Sequence, residues 1–468
     1  MPKSPAKPRT LGELRGSEYQ SLPVKEEMRK NLIRKLRDNQ PIFPGIIGYE
    51  DTVIPQIENA ILSGQDIIFL GERGQAKTRL ARALINLLDE EVPVIKGSEI
   101  NDDPYNPISA EGKRLVAEHE DLTEIEWLPR EDRYGEKLAT PDITIADLIG
   151  DVDPIKVAEG RYLSDELTIH YGLLPRTNRG IFCINELPDL AERVQVGLLN
   201  VLEERDVQIR GYKVRLPLDV YLVASANPED YTNRGRIITP LKDRAGSQIK
   251  THYPTTLDHE MDIMEQERMQ FTTPGYEVEV PQYMKEIVAE VTHLARRHPD
   301  ISQRSGVSVR VSIANYENLV SNALKRAIKL NEHQVVPRVS DMAALAASTA
   351  GKIELESVGD VREEKVVDKL VQGAILAAWN RRFSVGDFDD VVTRFHNGLV
   401  IEAGDTLPSM EYVHQASDLK GIRAALAKLE VGSNPSTIAA AVEFILEGLH
   451  LNRRLNKDRT AEGTRYRR

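Results

Sequence analysis

Residues 71–78 read Gly-Glu-Arg-Gly-Gln-Ala-Lys-Thr, directly after the apolar run 66–70 and directly before a stretch with helical spacing. The phosphate-cradling pattern is G-x-x-x-x-G-K-[ST]. Gly71, Lys77 and Thr78 match it, and Ala76 stands where the pattern has its last glycine. In such a loop, backbone N–H groups and the positive end of the following helix hold phosphate oxygens. A lysine at position 77 reaches the terminal phosphates, and a hydroxyl at Thr78 holds Mg²⁺. The Ala76 methyl is tolerated if that residue stays helical, while Gly74 adds freedom to the loop. The expected cradle for ATP with Mg²⁺ is therefore Gly71, Glu72, Arg73, Gly74, Gln75, Ala76, Lys77, Thr78 and Arg79.

Phosphoryl chemistry also needs an acid near the terminal phosphate. The apolar run 180–184 ends in Asn185-Glu186. A carboxylate at Glu186 can polarise the attacking water. Asn185 occupies the place of a Mg²⁺-supporting Asp; it can bond a metal-bound water but adds no negative charge. A second apolar run, 220–226, ends at Asn227. A polar residue closing a central strand is costly without a task, and positioning water beside the γ-phosphate would be one. Arg244 is a candidate finger acting on a neighbouring subunit's ATP. Arg310 opens a helix from which it could touch the γ-phosphate of its own chain.

These groups need a scaffold. Between 46 and about 255, short apolar runs (66–70, 93–97, 180–186, 220–228) alternate with helical patterns (77–90, 189–205). Uninterrupted apolar runs predict buried parallel strands of an α/β sheet. From 256 to 400 the pattern is mostly helical, as in 311–330 and 363–382, and 409–451 predicts three short helices broken at 432–435. Residues 1–23 lack periodicity and read as a flexible leader. Residues 24–38 predict a short amphipathic helix with Val24, Met28, Ile33 and Leu36 on one face. The expected domains are 1–40, leader plus helix; 41–255, nucleotide-binding α/β domain; 256–404, helical lid; and 405–468, helical C-terminal extension with a basic tail. No internal repeat is visible.

With 468 residues, two to four domains are expected at roughly 100–200 residues each. No run of about 18 apolar residues offers a membrane span, and the first residues lack the apolar core of a secretory signal. The single cysteine, Cys183, excludes an intramolecular disulfide and a cysteine-built metal cage, so a reducing cytoplasm is the expected compartment. Within an apolar strand it reads as inert packing. Both ends are basic, so the body between them is more acidic than the net charge of −12 implies. That disfavours nucleic-acid binding, and the basic ends read as solvated tails. There is no H-E-x-x-H and no G-x-S-x-G.

The order of these motifs resembles AAA+ ATPases of the MoxR and magnesium-chelatase I-subunit branch. In that branch Ala-Lys-Thr is a usual phosphate-loop variant, so Ala76 is itself a match. Residues 100–107, 172–190, 198–211, 224–230, 241–249 and 306–312 resemble further family blocks, and the similarity spans about 42–335. The resemblance implies a P-loop AAA+ parallel sheet sandwiched by helices, followed by an all-α lid domain and a small helical C-terminal region. It implies that Glu186 activates water, Asn227 is sensor 1, Arg244 the trans finger and Arg310 sensor 2. Asn185 and Lys242 depart from the pattern. Relatives insert a hairpin before the acid strand, here at about 147–175.

The resemblance further implies a homo-oligomeric ring, a hexamer, working with a separate von Willebrand A-type protein. The expected activity is ATP-driven remodelling, for metal insertion or client activation. Two alternatives stay open: a nucleotide-gated scaffold with little turnover, for which Asn185 speaks, and the ATPase subunit of a magnesium chelatase. A nucleic-acid motor has only the basic ends in its favour. No segment resembles the Gly-Ala-Phe-Thr-Gly-Ala loop of sigma-54 activators, which argues against that role.

Overall fold

The computed structural model describes residues 7–152, 168–203, 206–208, 215–227, 235–303, 305–356, 363–416, 418–460 and 463–468; the side chains of 200–215 also lie outside the description. The chain divides into two compact units, Met1–His252 and Tyr253–Arg468. Among the described residues, no helix is long and apolar enough to cross a membrane.

In the first unit, strands β1 (Ile67–Leu70), β2 (Glu91–Ile95), β3 (Ile125–Pro129), β4 (Tyr134–Leu138), β5 (Gly150–Val152), β6 (Ile169–Tyr171), β7 (Gly180–Asn185), β8 (Asp206–Gln208), β9 (Arg215–Pro217), β10 (Val220–Ala226) and β11 (Ser247–Lys250) form in chain order. Five of them make one parallel sheet in the order β11-β1-β10-β7-β4. Successive side chains of a strand point to opposite faces, and here both faces are apolar. Ile67, Phe69, Ile181, Cys183, Tyr221 and Val223 join a cluster with helices Val24–Arg37, Ile54–Leu62 and Lys77–Ala83. Ile68, Phe182, Ile184, Leu222, Ala224 and Ala226 join another with Glu192–Glu203 and Thr239–Arg244. The expected α/β sheet sandwiched by helices is what forms. Burial pushes the Cys183 thiol up to about 12, in keeping with inert packing.

Several expectations need correction. The short apolar run at 93–97 does not join the parallel sheet; β2 pairs antiparallel with β3 outside it. An apolar run fixes burial but not the partner's direction. Residues 7–23 are not a flexible leader. Helix Leu11–Arg15 buries Leu11 and Leu14 completely. Arg9 O accepts the Ile125 N–H at 2.9 Å, and Pro8 O accepts the Trp127 indole N–H at 2.9 Å. In helix Val24–Arg37 the buried face is Val24, Met28 and Leu32, while Leu36 is exposed.

That helix is tied to the sheet by a buried ion pair. Arg133 donates to the two Glu27 carboxylate oxygens at 2.7 and 2.6 Å, and both side chains are at most 4% exposed. Glu27 also accepts the Asp89 N–H at 2.6 Å. Removing one partner of such a pair leaves a desolvated charge. Glu27→Ala is therefore expected to cost about 3–5 kcal/mol, read as a lower urea midpoint; an unchanged midpoint would mean Arg133 finds water or another partner.

Before the acid strand, helix Ile145–Ile149 ends at Gly150, β5 and β6 pair antiparallel, and helix Leu173–Arg176 follows. The β5–β6 pair lies within the 147–175 stretch where a hairpin insert is expected; residues 153–167, which would join its strands, lie outside the described residues. β8 and β9 also pair antiparallel.

The second unit is mostly helical, with short strands β12 (Glu277–Val278), β13 (Gln334–Val335), β14 (Ile401–Ala403), β15 (Asn456–Thr460) and β16 (Gly463–Arg467). Its three late helices, Ser409–Ala416, Lys420–Lys428 and Pro435–Leu451, match the three expected. One apolar cluster runs from Met261 to Tyr466, so the packing has no break at 404/405. Gly448 is required there: a Cβ would lie 1.9 Å from Trp379 Cδ1. The basic C-terminal end is not a solvated tail. β16 lies between β14 and β15 in an antiparallel sheet. Lys457 donates to the buried Glu447 carboxylate at 2.7 Å, and the Tyr466 hydroxyl also bonds it. A buried carboxylate needs such partners.

Candidate nucleotide site at the end of the parallel sheet

β1 lies between β10 and β11, and the phosphate-type loop leaves its C-terminal end. Ligands of open α/β sheets bind outside such strand ends. The loop is held in shape from beneath. The buried Gln75 side-chain oxygen accepts the Glu72 N–H at 3.0 Å and the Thr251 hydroxyl at 2.8 Å. The Tyr49 hydroxyl sits 2.9 Å from Gln75 O and 2.7 Å from His252 O; burial pushes its pKa up to about 12. Gly71 is dictated by this clasp, since a Cβ there would lie 1.9 Å from Thr251 Oγ1 and 2.2 Å from Gln75 Oε1.

Ala76 departs from expectation. It is not helical but left-handed, with φ 55° and ψ 16°. The turn into helix Lys77–Ala83 uses the backbone region that the pattern's glycine enters freely. A left-handed L-residue costs roughly 1–2 kcal/mol, partly offset by the smaller unfolded-state freedom of alanine. Ala76→Gly is thus expected to stabilise the chain by about 0.5–1 kcal/mol, measured by chemical denaturation. A loss of stability would place Ala76 in another conformation in solution.

The loop delivers Lys77 and Thr78 to the neighbouring strand ends. Lys77 Nζ donates to Gly71 O at 2.5 Å, to Glu72 O at 2.8 Å and to Asn227 Oδ1 at 2.6 Å. Asn227, which is 5% exposed, follows β10 beside β1. The Thr78 hydroxyl is 3.4 Å from Asn185 Oδ1 at the end of β7. Glu186, half-buried, is also left-handed (φ 56°, ψ 47°), and its N–H bonds Ser225 Oγ at 3.2 Å. A bulky residue in that region signals a conformation imposed by its surroundings.

Lys77, Thr78, Asn185, Glu186 and Asn227 thus converge on one end of the sheet. Arg73 and Arg79 have exposed side chains on the loop and its helix, and Glu72 is partly buried. Arg244 closes helix Thr239–Arg244 with an exposed side chain, donating to Pro240 O at 3.2 Å. Arg310 belongs to the second unit, where it is exposed and opens helix Arg310–Leu330.

The site also contains residues that sequence reading passed over. Glu136 on β4 accepts the Asn185 amide N–H at 2.6 Å and the Arg82 guanidinium at 2.7 and 3.0 Å. Ser225 Oγ donates to Asn185 Oδ1 at 3.2 Å. Tyr49, Thr251 and Arg82 complete the set. None sits in a recognisable motif; only the tertiary pairing of strands assembles them.

Among family models, that of the sigma-54 interaction domain matches residues 159–241, a segment that holds Glu186, Asn227 and β7 but not the phosphate-type loop. A search among curated proteins finds no match. Solved structures with similarity include a BchI–BchD magnesium chelatase complex (19% identity, 70% of this chain and 98% of that one, TM-score 0.36). Others are NtrX from Brucella abortus (18% identity, 74% and 66%, TM-score 0.40) and a RuvB mutant from Thermotoga maritima (12% identity, 90% and 92%, TM-score 0.36). At those scores the likenesses carry no argument about activity or partners. The parallel sheet order, the loop after the interior strand β1 and Glu186 directly after β7 give an α/β architecture of P-loop type.

Proposed function

We propose that this chain is an ATPase that binds ATP with Mg²⁺ at the end of its parallel sheet and hydrolyses it. The observation that carries this reading is the Lys77 amine 2.6 Å from Asn227 Oδ1, with the Thr78 hydroxyl beside Asn185 on the adjoining strand. A cation, a hydroxyl and two amides meet where a loop without a Cβ at Gly71 leaves its strand. That donor set fits a polyphosphate and its cation. Among the described residues no group of three His, Cys, Asp or Glu side chains could hold a metal alone. Mg²⁺ bound with nucleotide phosphates needs only one or two protein ligands.

In this mechanism Lys77 exchanges its loop carbonyls for phosphate oxygens, and Thr78 and Asn185 would hold Mg²⁺, which would supply charge neutralisation at the phosphates. Glu186 accepts the proton of the attacking water as oxygen bonds to the γ-phosphorus and the bond to ADP breaks. Asn227 orients that water and Arg244 reaches a neighbour's site; for Arg310, which lies in the second unit, the sensor role is the one the sequence resemblance implies. The exposed position of Arg244 supports assembly as a ring, for which a hexamer is the proposal. The family-model match supports the AAA+ class; without a segment resembling its contact loop, sigma-54 is not the proposed client. Remodelling of a client with a separate von Willebrand A-type partner is the activity proposed from the sequence resemblance.

Glu186→Gln tests the catalytic half. Because an amide cannot take the proton, ATP binding should persist while phosphate release falls to background. A wild type that binds ATP without turnover, unaffected by Glu186→Gln, would favour the scaffold reading, for which the uncharged Asn185 speaks.

A further inference from the structure

We propose that Glu136 is a positioning residue that makes Asn185 act as the oxygen ligand an aspartate would otherwise supply; this rests on the ATP–Mg²⁺ reading above. β4 and β7 pair in parallel with Leu138 opposite Asn185 and Glu136 opposite Cys183. Glu136 and Asn185 are therefore diagonal neighbours on one face of the sheet, within reach of each other. The contact is direct: Asn185 Nδ2 donates to Glu136 Oε1 at 2.6 Å.

That bond removes an ambiguity inherent in asparagine. An unrestrained amide can turn either its oxygen or its NH₂ toward Thr78, and only the oxygen is compatible with a cation. An ionised carboxylate can only accept, so Glu136 holds the NH₂ on its own side. The opposite edge, Oδ1, then faces the Thr78 hydroxyl at 3.4 Å and the Ser225 hydroxyl at 3.2 Å. A hydroxyl can accept as well as donate, so it is the acceptor-only carboxylate that selects the orientation, and the two hydroxyls donate to the Oδ1 edge it presents.

Glu136 is itself held. Arg82 lies one turn beyond Thr78 on the same helix and grips both carboxylate oxygens, at 2.7 and 3.0 Å. The Arg82 side chain is 63% exposed, against 21% for Glu136. Water screens the arginine's charge more than the carboxylate's. The site thus keeps a carboxylate one hydrogen bond behind the neutral Asn185.

This arrangement reverses the obvious expectation for Asn185→Asp. Read from sequence, that change restores a missing acid and should strengthen Mg²⁺ binding. In the structure it places a second carboxylate against Glu136, replacing a 2.6 Å hydrogen bond with like-charge repulsion. The productive exchange is the transposition Glu136→Gln with Asn185→Asp, which keeps one amide and one carboxylate in contact.

The test is binding of a fluorescent ATP analogue, titrated with Mg²⁺ and repeated in EDTA, with thermal melts confirming that each variant is folded. Groups that orient a metal's ligands are worth about 10–100-fold in metal affinity. Glu136→Gln and Asn185→Asp should each raise the Mg²⁺ requirement by at least about tenfold, read against that variant's own binding in EDTA. The double variant should return most of the way to wild type. A Mg²⁺ requirement unmoved by Glu136→Gln, or a double variant no better than the worse single, overturns the proposal while the nucleotide site stands. A wild type that binds no analogue overturns both.

Discussion

Lys77→Ala should abolish ATP hydrolysis and weaken ATP binding by at least about tenfold. Each charge-assisted hydrogen bond is worth about 1.5–3 kcal/mol, and 1.4 kcal/mol is a factor of ten. The Lys77 amine is brought to the end of β1 by the same loop that holds Gly71 against Thr251. The groups it bonds include the Gly71 and Glu72 carbonyls and the Asn227 amide oxygen, acceptors that would repel phosphate without the amine between. The same contacts supply a control. Their loss could loosen the loop, so Lys77→Ala is to be compared by calorimetric titration of ATP alongside a thermal melt. Turnover near wild type in a folded Lys77→Ala protein would remove the phosphate-loop assignment.

Arg244→Ala should also lose hydrolysis, while each subunit still binds ATP. Arginine fingers act on charge that develops in the transition state and are worth on the order of 10³–10⁵ in rate. Arg244 is exposed at the end of its helix, where a neighbouring copy could receive it. The decisive experiment is mixing. An Arg244→Ala subunit has an intact pocket, and a Lys77→Ala subunit has an intact finger. Inactive alone, the two together should regain measurable ATPase activity. If hetero-rings form without recovery, or scattering finds only monomers with ATP bound, the trans mechanism is wrong.

The parts of the fold that were legible are those where one environment dictates every residue. β1, β7 and β10 are covered on both faces, so each reads as an unbroken apolar run. β4 and β11 lie at the sheet's edges and are partly exposed along most of their length; Tyr-Gly-Glu-Lys-Leu and Ser-Gln-Ile-Lys carry no such signal. The loop residues were legible because phosphate chemistry restricts both type and spacing. Glu136 was not, since it reaches Asn185 across 49 residues of sequence by strand pairing alone. The handedness of Ala76 was hidden for another reason: alanine is compatible with either backbone region in sequence, and only the surrounding clasp selects one.

The buried Glu27–Arg133 pair bears on how this protein can be dissected. A fragment trimmed to begin at residue 41, where the α/β pattern starts, would discard Glu27 and strip the Arg133 guanidinium, 1% exposed in the full chain, of its paired carboxylate. It would also take Val24, Met28 and Leu32 out of the apolar cluster that holds Ile67, Phe69 and Tyr221. Poor solubility of such a fragment would then report the missing helix rather than any defect in the nucleotide site. The smallest fragment on which the chemistry can be fairly judged retains the strap from residue 7 onward.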